Sequence, residues 1–280
     1  MINKIKSLLK KQEKVLPDGY VKGFNVLDEY IDEYPSDQLA AELFKEEWSS
    51  EFPRGSGVSV SGRMPLFEDP RVEWASGVLG GFEGKRVLEL GPLEGAHAYM
   101  LEKGDASHVL SIEANKRAFM KCLIAKEINR LTRTKYMLGD FVKYLKATDE
   151  AFDITFACGV LYHLLNPAEV IEHISRVSNS VFIWALYYDE AVVNEMPSVK
   201  KTMGDSKRIS HHGFEHILHE HYYQDSLSVP SFCGGANPNS FWMTREGLLG
   251  CLKHFGFKKL SIEFDKPVPG GPGICVVGEK

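Results

Sequence analysis

A chain of 280 residues, 44% of them hydrophobic and 25% charged, can bury a sizeable core as one large domain or two small ones. Its formal net charge of −5 gives no general attraction to nucleic acid or to an anionic membrane, and no apolar run is long enough to span a bilayer. The five cysteines (Cys122, Cys158, Cys233, Cys251, Cys275) lack any C-x-x-C pairing and no signal-peptide core opens the chain, so free thiols in a reducing, cytoplasmic setting are expected.

Residues 1–14 alternate Ile2, Ile5, Leu8 and Leu9 with lysines, the pattern of a basic amphipathic helix. Packing one face on the body is preferred for it over contact with a membrane or RNA. Short helices are expected over 25–33 and 37–49, the second with Leu39, Leu43, Phe44 and Trp48 at helical spacing. Residues 54–57 form a glycine joint, and the turn-rich stretch 64–70 is a candidate lid. Residues 1–70 are thus read as an N-terminal helical extension and 71–280 as the main domain.

A regular alternation follows. Helix 71–79 precedes strand 86–90, whose Val87, Leu88 and Leu90 form an apolar run suited to a central parallel strand. Strands 109–113, 135–138, 153–157 and 181–186 alternate with helices 96–103, 116–129, 141–146 and 167–177. Such alternation means a doubly wound, mostly parallel α/β sheet of Rossmann type with helices on both faces. Asn166-Pro167 and Thr244 are helix starts. Residues 189–240 break the pattern and are expected to form an inserted cap with helices of its own. Helix 245–255 and strands 259–264 and 274–277 close the chain.

The chemistry gathers at the carboxyl ends of the strands, where open α/β sheets bind ligands. Gly91 and Gly95 bracket a tight turn between the first strand and its helix. Glu113 ends the next strand about 20 residues later, where a carboxylate binds the two hydroxyls of a ribose. The turn is not the dinucleotide G-x-G-x-x-G: Leu93 and Glu94 stand where a pyrophosphate would need close backbone and no negative charge. This weakens the alternative of a nicotinamide oxidoreductase. Glu89, buried in a strand, needs a partner and is expected to orient a cofactor's charged end.

These residues resemble a family, the class I S-adenosylmethionine-dependent methyltransferases, over about 71–277. The resemblance rests on four motifs in order: Val87-Leu-Glu-Leu-Gly-Pro-Leu-Glu-Gly95, the acidic Glu113, the corner Gly139-Asp140-Phe141, and the run from Phe152 to His163. The string Gly159-Val-Leu-Tyr-His163 is similar to the branch that includes the tRNA wobble-uridine carboxymethyltransferases. The resemblance implies a seven-stranded sheet with its last strand antiparallel, S-adenosyl-L-methionine as cofactor, and substrate-facing residues just past the fourth strand. The cofactor site is then expected to comprise Glu89, Gly91, Leu93, Gly95, Glu113, Ala114, Asp140, Phe141, Cys158 and Gly159, with Asp140 toward the adenine amino group.

Methyl transfer from a sulfonium is an in-line displacement that requires positioning, exclusion of water and, for a hydroxyl acceptor, a base. His163 is the candidate base. Tyr162, Tyr188, His211, His212 and Trp242 are candidate acceptor contacts, and the aromatic cap suits a small or sugar-like acceptor, methylated on oxygen or nitrogen by a monomer or homodimer. A tRNA acceptor is the alternative, opposed by the acidic charge; a non-catalytic nucleoside-binding protein is another. His212 and His216 at i, i+4 invite a metal, but Gly213 weakens that helix and a polar, non-metal segment is preferred; no metal is expected.

Overall fold

The structure, a computed structural model, describes residues 21–280, so the helix expected over 1–14 lies outside the described residues. The chain divides at Ser36 into a short N-terminal unit and a main unit, Asp37–Lys280. Among the described residues of the first, a 3-10 turn, Val26–Glu29, capped by the Asn25 side chain, replaces the helix expected over 25–33. Its Val26 and Leu27 stay exposed, and one turn without packing does not propagate.

In the main unit α1 (Asp37–Glu42) stops well short of residue 49. Beyond it the chain turns inward, because Trp48 gains more from burial than from helix. Its indole N–H donates to Ala41 O at 2.8 Å, and it joins Phe52, Phe67, Ala96 and Ala125 in a cluster. The amides of Ser49 and Ser50 donate to the Glu94 carboxylate at 2.8–3.1 Å, and Lys121 Nζ bonds Glu94 Oε1 at 2.6 Å and Glu47 O at 2.8 Å. Glu94 is fully buried and Lys121 is 1% exposed. This carboxylate therefore serves as the anchor of the segment before the sheet and does not face a cofactor phosphate.

Helix α2 (Pro70–Leu79) precedes β1 (Arg86–Leu90), α3 (Ala96–Lys103), β2 (His108–Glu113), α4 (Lys116–Ile128), β3 (Thr134–Leu138), α5 (Phe141–Ala147), β4 (Phe152–Cys158), α6 (Pro167–Val177) and β5 (Ser178–Leu186). The sheet order is β3-β2-β1-β4-β5-β10-β9, with β1 to β5 parallel. β10 (Gly271–Glu279) inserts antiparallel between β5 and β9 (Lys259–Val268), as the resemblance implied. Apolar side chains from the sheet enter two clusters, one led by Leu88, Leu110 and Ile183 and the other by Val87, Val109 and Phe182. That is the two-faced burial of a doubly wound sheet.

The inserted segment departs from expectation. After two short helices, α7 (Glu190–Asn194) and α8 (Pro197–Lys200), it is a three-stranded antiparallel sheet of β6 (Met203–His211), β7 (Phe214–Tyr222) and β8 (Asn239–Met243). His212 and Gly213 form its two-residue turn, both with positive φ (44° and 82°), the backbone that matches a hairpin's twist. His212 and His216 are therefore not on one helix face. Strand alternation buries His216 and Leu218 and exposes Glu215 and Ile217. Helix α9 (Arg245–His254) follows, capped by Thr244, which accepts from Gly247 N–H at 3.0 Å.

Candidate active site

The turn after β1 winds through left-handed backbone at Gly91 (φ 65°), Leu93 (φ 56°) and Gly95 (φ 80°). At Gly91 a side chain would crowd Val160, 3.2 Å away, so the turn hugs the tip of β4. At Gly95 a side chain would strike the Tyr136 hydroxyl. The missing side chain at Gly95 thus lets α3 close on β3.

Glu113 is clasped across the crevice: Asn115 N–H donates to Oε1 at 2.7 Å and Leu93 N–H to Oε2 at 3.2 Å. Burial pushes its carboxyl above the ordinary range, against the pull of those amides. Each oxygen keeps an acceptor position beyond the one filled. Ala114 is exposed at the following turn, and Gly139 N–H holds the end of β3 to Glu113 O at 2.8 Å. Asp140 caps α5 through Val142 N–H at 2.8 Å, with Phe141 half-buried behind it.

Glu89 lies below the turn, 1% exposed. Ser111 Oγ donates to its Oε2 at 2.5 Å, while Oε1 has no hydrogen-bond partner. Burial pushes this carboxyl up, opposed by the charge of His97. His97 belongs to a network that sequence reading missed. Its Nε2 meets Asp69 Oδ2 at 2.9 Å, and Arg71 closes on the same carboxylate through Nε at 2.9 Å and Nη2 at 2.5 Å. Burial works against a charged His97, but the Cys158 sulfur and the Asp69 carboxylate raise its pKa to about 10. Arg71 also lies 4.5 Å from the centre of the Trp184 ring, and that ring packs edge-on against Tyr162. The segment 64–70 thus builds a wall beside Cys158. The only sequence signal for this network is that His97 opens the helix after the glycine turn.

Past β4, Gly159 (φ 80°) leads into a 3-10 turn, Leu161–His163. His163 Nδ1 meets the Tyr223 hydroxyl at 2.7 Å, a partner from the cap that sequence reading did not pair with it. Burial, and then the nearby His221, lower the His163 pKa to about 4, so the imidazole is neutral at pH 7. Trp242, 2% exposed, sits between Tyr162 and His221, with ring centres 6.3 and 4.9 Å away. Around these rings Trp242 Nε1, His221 Nδ1 and Ser240 Oγ are buried without partners. The loop 229–238 reaches over both ends of the crevice. Phe232 O accepts from Asn115 Nδ2 at 3.2 Å, and Gly235 lies against His163 O.

The other expected acceptor contacts lie elsewhere. Tyr188 stacks flat on His219, ring centres 3.6 Å apart, in an open hollow of about 660 Å³ with Asp189, Glu190 and Glu246. His211 and His212 bond Glu172, in the middle of α6, so they do not join His163. The crevice residues fit a nucleoside cofactor with a cationic end. Glu113 offers ribose acceptors, and Glu89 holds a buried oxygen that lacks a donor.

The methyltransferase-domain family matches residues 82–226, just over half of the chain. Among solved structures, the N-terminal domain of EvdMO1 with SAH bound is 20% identical, with a TM-score of 0.64 over 87% of this chain and 94% of that one. The same domain in the presence of SAH and D-fucose gives 19% and 0.63 over the same shares. An S-adenosylmethionine-dependent methyltransferase from Mesorhizobium loti is 13% identical, with a TM-score of 0.53 over 77% of this chain and 100% of that one. At these identities the likeness is one of fold. No curated protein matches the chain in sequence. The chain belongs to the methyltransferase-domain family and is an S-adenosylmethionine-dependent methyltransferase.

Proposed function

We propose that the enzyme methylates a hydroxyl oxygen of a small, polar, sugar-like acceptor held between the tip of β4 and the cap sheet. The observation that carries this reading is the group of buried polar atoms without partners: Trp242 Nε1, His221 Nδ1 and Ser240 Oγ. An unpaired buried group costs about 1–3 kcal/mol, and a ligand with several hydroxyls satisfies such donors and acceptors together. An apolar acceptor would leave them unpaired. The EvdMO1 domain crystallised in the presence of SAH and D-fucose is in keeping with this class of acceptor.

In this reading Glu113 takes the ribose, and Asp140 and Phe141 take the adenine. Glu89 faces the ammonium end, and Gly91, Leu93, Ala114, Cys158 and Gly159 supply backbone walls. The cofactor, when bound, supplies an electrophilic methyl group. The chain supplies alignment, exclusion of water under the 229–238 loop and a proton acceptor. His163 is neutral, so with Nδ1–H donated to Tyr223 its Nε2 lone pair takes the proton of the acceptor hydroxyl.

A methyl-labelled donor offered with small glycosides, polyols, amines and total tRNA tests this. A methyl ether identified by mass spectrometry is the expected product. Label on nitrogen, or only in tRNA, overturns it. The tRNA acceptor is the second reading, carried by the string Gly159-Val-Leu-Tyr-His163.

A further inference from the structure

Away from the crevice, one side chain from α6 meets two from the tip of the cap hairpin. Glu172 on α6 presents one carboxylate oxygen to each of two consecutive histidines: Oε2 to His211 Nε2 at 2.7 Å, and Oε1 to His212 Nδ1 at 2.6 Å. The two rings stack nearly parallel, centres 4.6 Å apart and 14° between planes, with their ring nitrogens turned to the same carboxylate. All three ligand-type atoms lie within 4.8 Å of one another. His212 holds this place in left-handed backbone (φ 44°), at a hairpin position that favours asparagine or glycine.

We propose that Glu172, His211 and His212 bind a divalent transition-metal ion of the zinc class, which braces the cap hairpin against α6. Two imidazoles and a carboxylate are the donor set that borderline ions such as zinc select, and calcium or magnesium would want oxygen alone. Bonds of about 2.0–2.1 Å in a tetrahedral site set ligand atoms about 3.3 Å apart, so the two carboxylate–imidazole contacts need to open by well under 1 Å, and the two ring nitrogens, within 4.8 Å of each other, need to settle to the same spacing. His212 is exposed, which leaves room for that movement and for a water as fourth ligand. A second cluster among the described residues, Asp69, His97 and Cys158, is a poorer site, because the Arg71 guanidinium already occupies its carboxylate. The braced hairpin continues through β7 to His221 and Tyr223, so the ion acts on the position of the cap and takes no part in methyl transfer.

The test uses the full chain stripped with chelator and titrated with zinc chloride in a calorimeter. One equivalent binding at micromolar affinity or tighter is expected, with a rise in melting temperature. His212→Asn keeps a residue suited to the turn, and Glu172→Gln keeps the shape of α6. Each should weaken binding about tenfold or more and abolish the zinc-dependent rise. In chelator, His212→Asn should melt at or above the parent, which separates loss of a ligand from loss of fold. The absence of one-to-one binding, or binding unchanged in both variants, overturns the proposal.

Discussion

His163 is legible in the sequence from its place just past the fourth strand, but its state is not, because burial and the Tyr223 hydroxyl come from tertiary structure. Replacing it with alanine should lower turnover about 10²–10⁴-fold with little change in cofactor affinity. Tyr223→Phe should give a smaller loss, since it frees the ring without removing the base. Because the free-enzyme imidazole titrates near pH 4, the rate should stay flat through the ordinary histidine range, its acid limb lying lower. Near-normal turnover of His163→Ala would reduce the residue to packing. Glu113 is legible too, through its distance from Gly91. Glu113→Ala should weaken S-adenosylmethionine binding by about 1–3 kcal/mol, and an unchanged calorimetric affinity would place the ribose elsewhere. Gly95 shows the limit of such reading: a glycine in a cofactor turn is visible, but which neighbour its missing side chain would strike is not. Asp69 and Arg71 stayed hidden for a like reason, since nothing in a turn-rich stretch says that it ends against Cys158.

At the scale of elements, the strands and helices of the main sheet are readable because apolar runs and helix starts alternate without interruption. The cap misleads because 211–221 carries both its histidines (His212, His216) and its apolar residues (Phe214, Ile217, Leu218) at helical spacing, while burial in the folded strand alternates. The turn that decides between the two patterns is His-Gly, a weaker signal than Asn-Gly. The expected helix 37–49 runs too long because Leu39, Leu43, Phe44 and Trp48 recur at helical spacing, yet Trp48 is drawn inward by Ala41 and by the Glu94 anchor next to it. That anchor makes a test. Lys121→Met leaves the Glu94 carboxylate buried without its cation and should cost about 3–5 kcal/mol in urea unfolding. Adding Glu94→Gln should recover much of the loss. A single variant as stable as the parent would mean that water reaches the pair.

Across the whole molecule, three histidines with large shifts shape the dependence of stability on pH. His163 and His221 have pKa values lowered from 6.5 to about 4, so between those values the unfolded chain binds more protons than the native one. Their contribution is present above 6.5 and is lost as pH falls toward 4. His97 is raised to about 10, so its contribution is full below 6.5 and is lost as pH rises through 10. Urea midpoints should therefore peak near about pH 6.5 and decline on both sides. A His97→Asn variant that keeps the full alkaline decline would show that another group causes it. The α/β class and the crevice at the strand ends could be read from the chain alone, whereas the network that fixes these histidines joins positions far apart in sequence. The anchor in the glycine turn carries one more consequence. Leu93 holds Glu113 by its amide, and its neighbour Glu94 holds residues 49 and 50 by its side chain. One short piece of backbone thus serves two masters, and by linkage each must report on the other. Cofactor should slow protease cutting within 43–63, and clipping that segment should loosen cofactor.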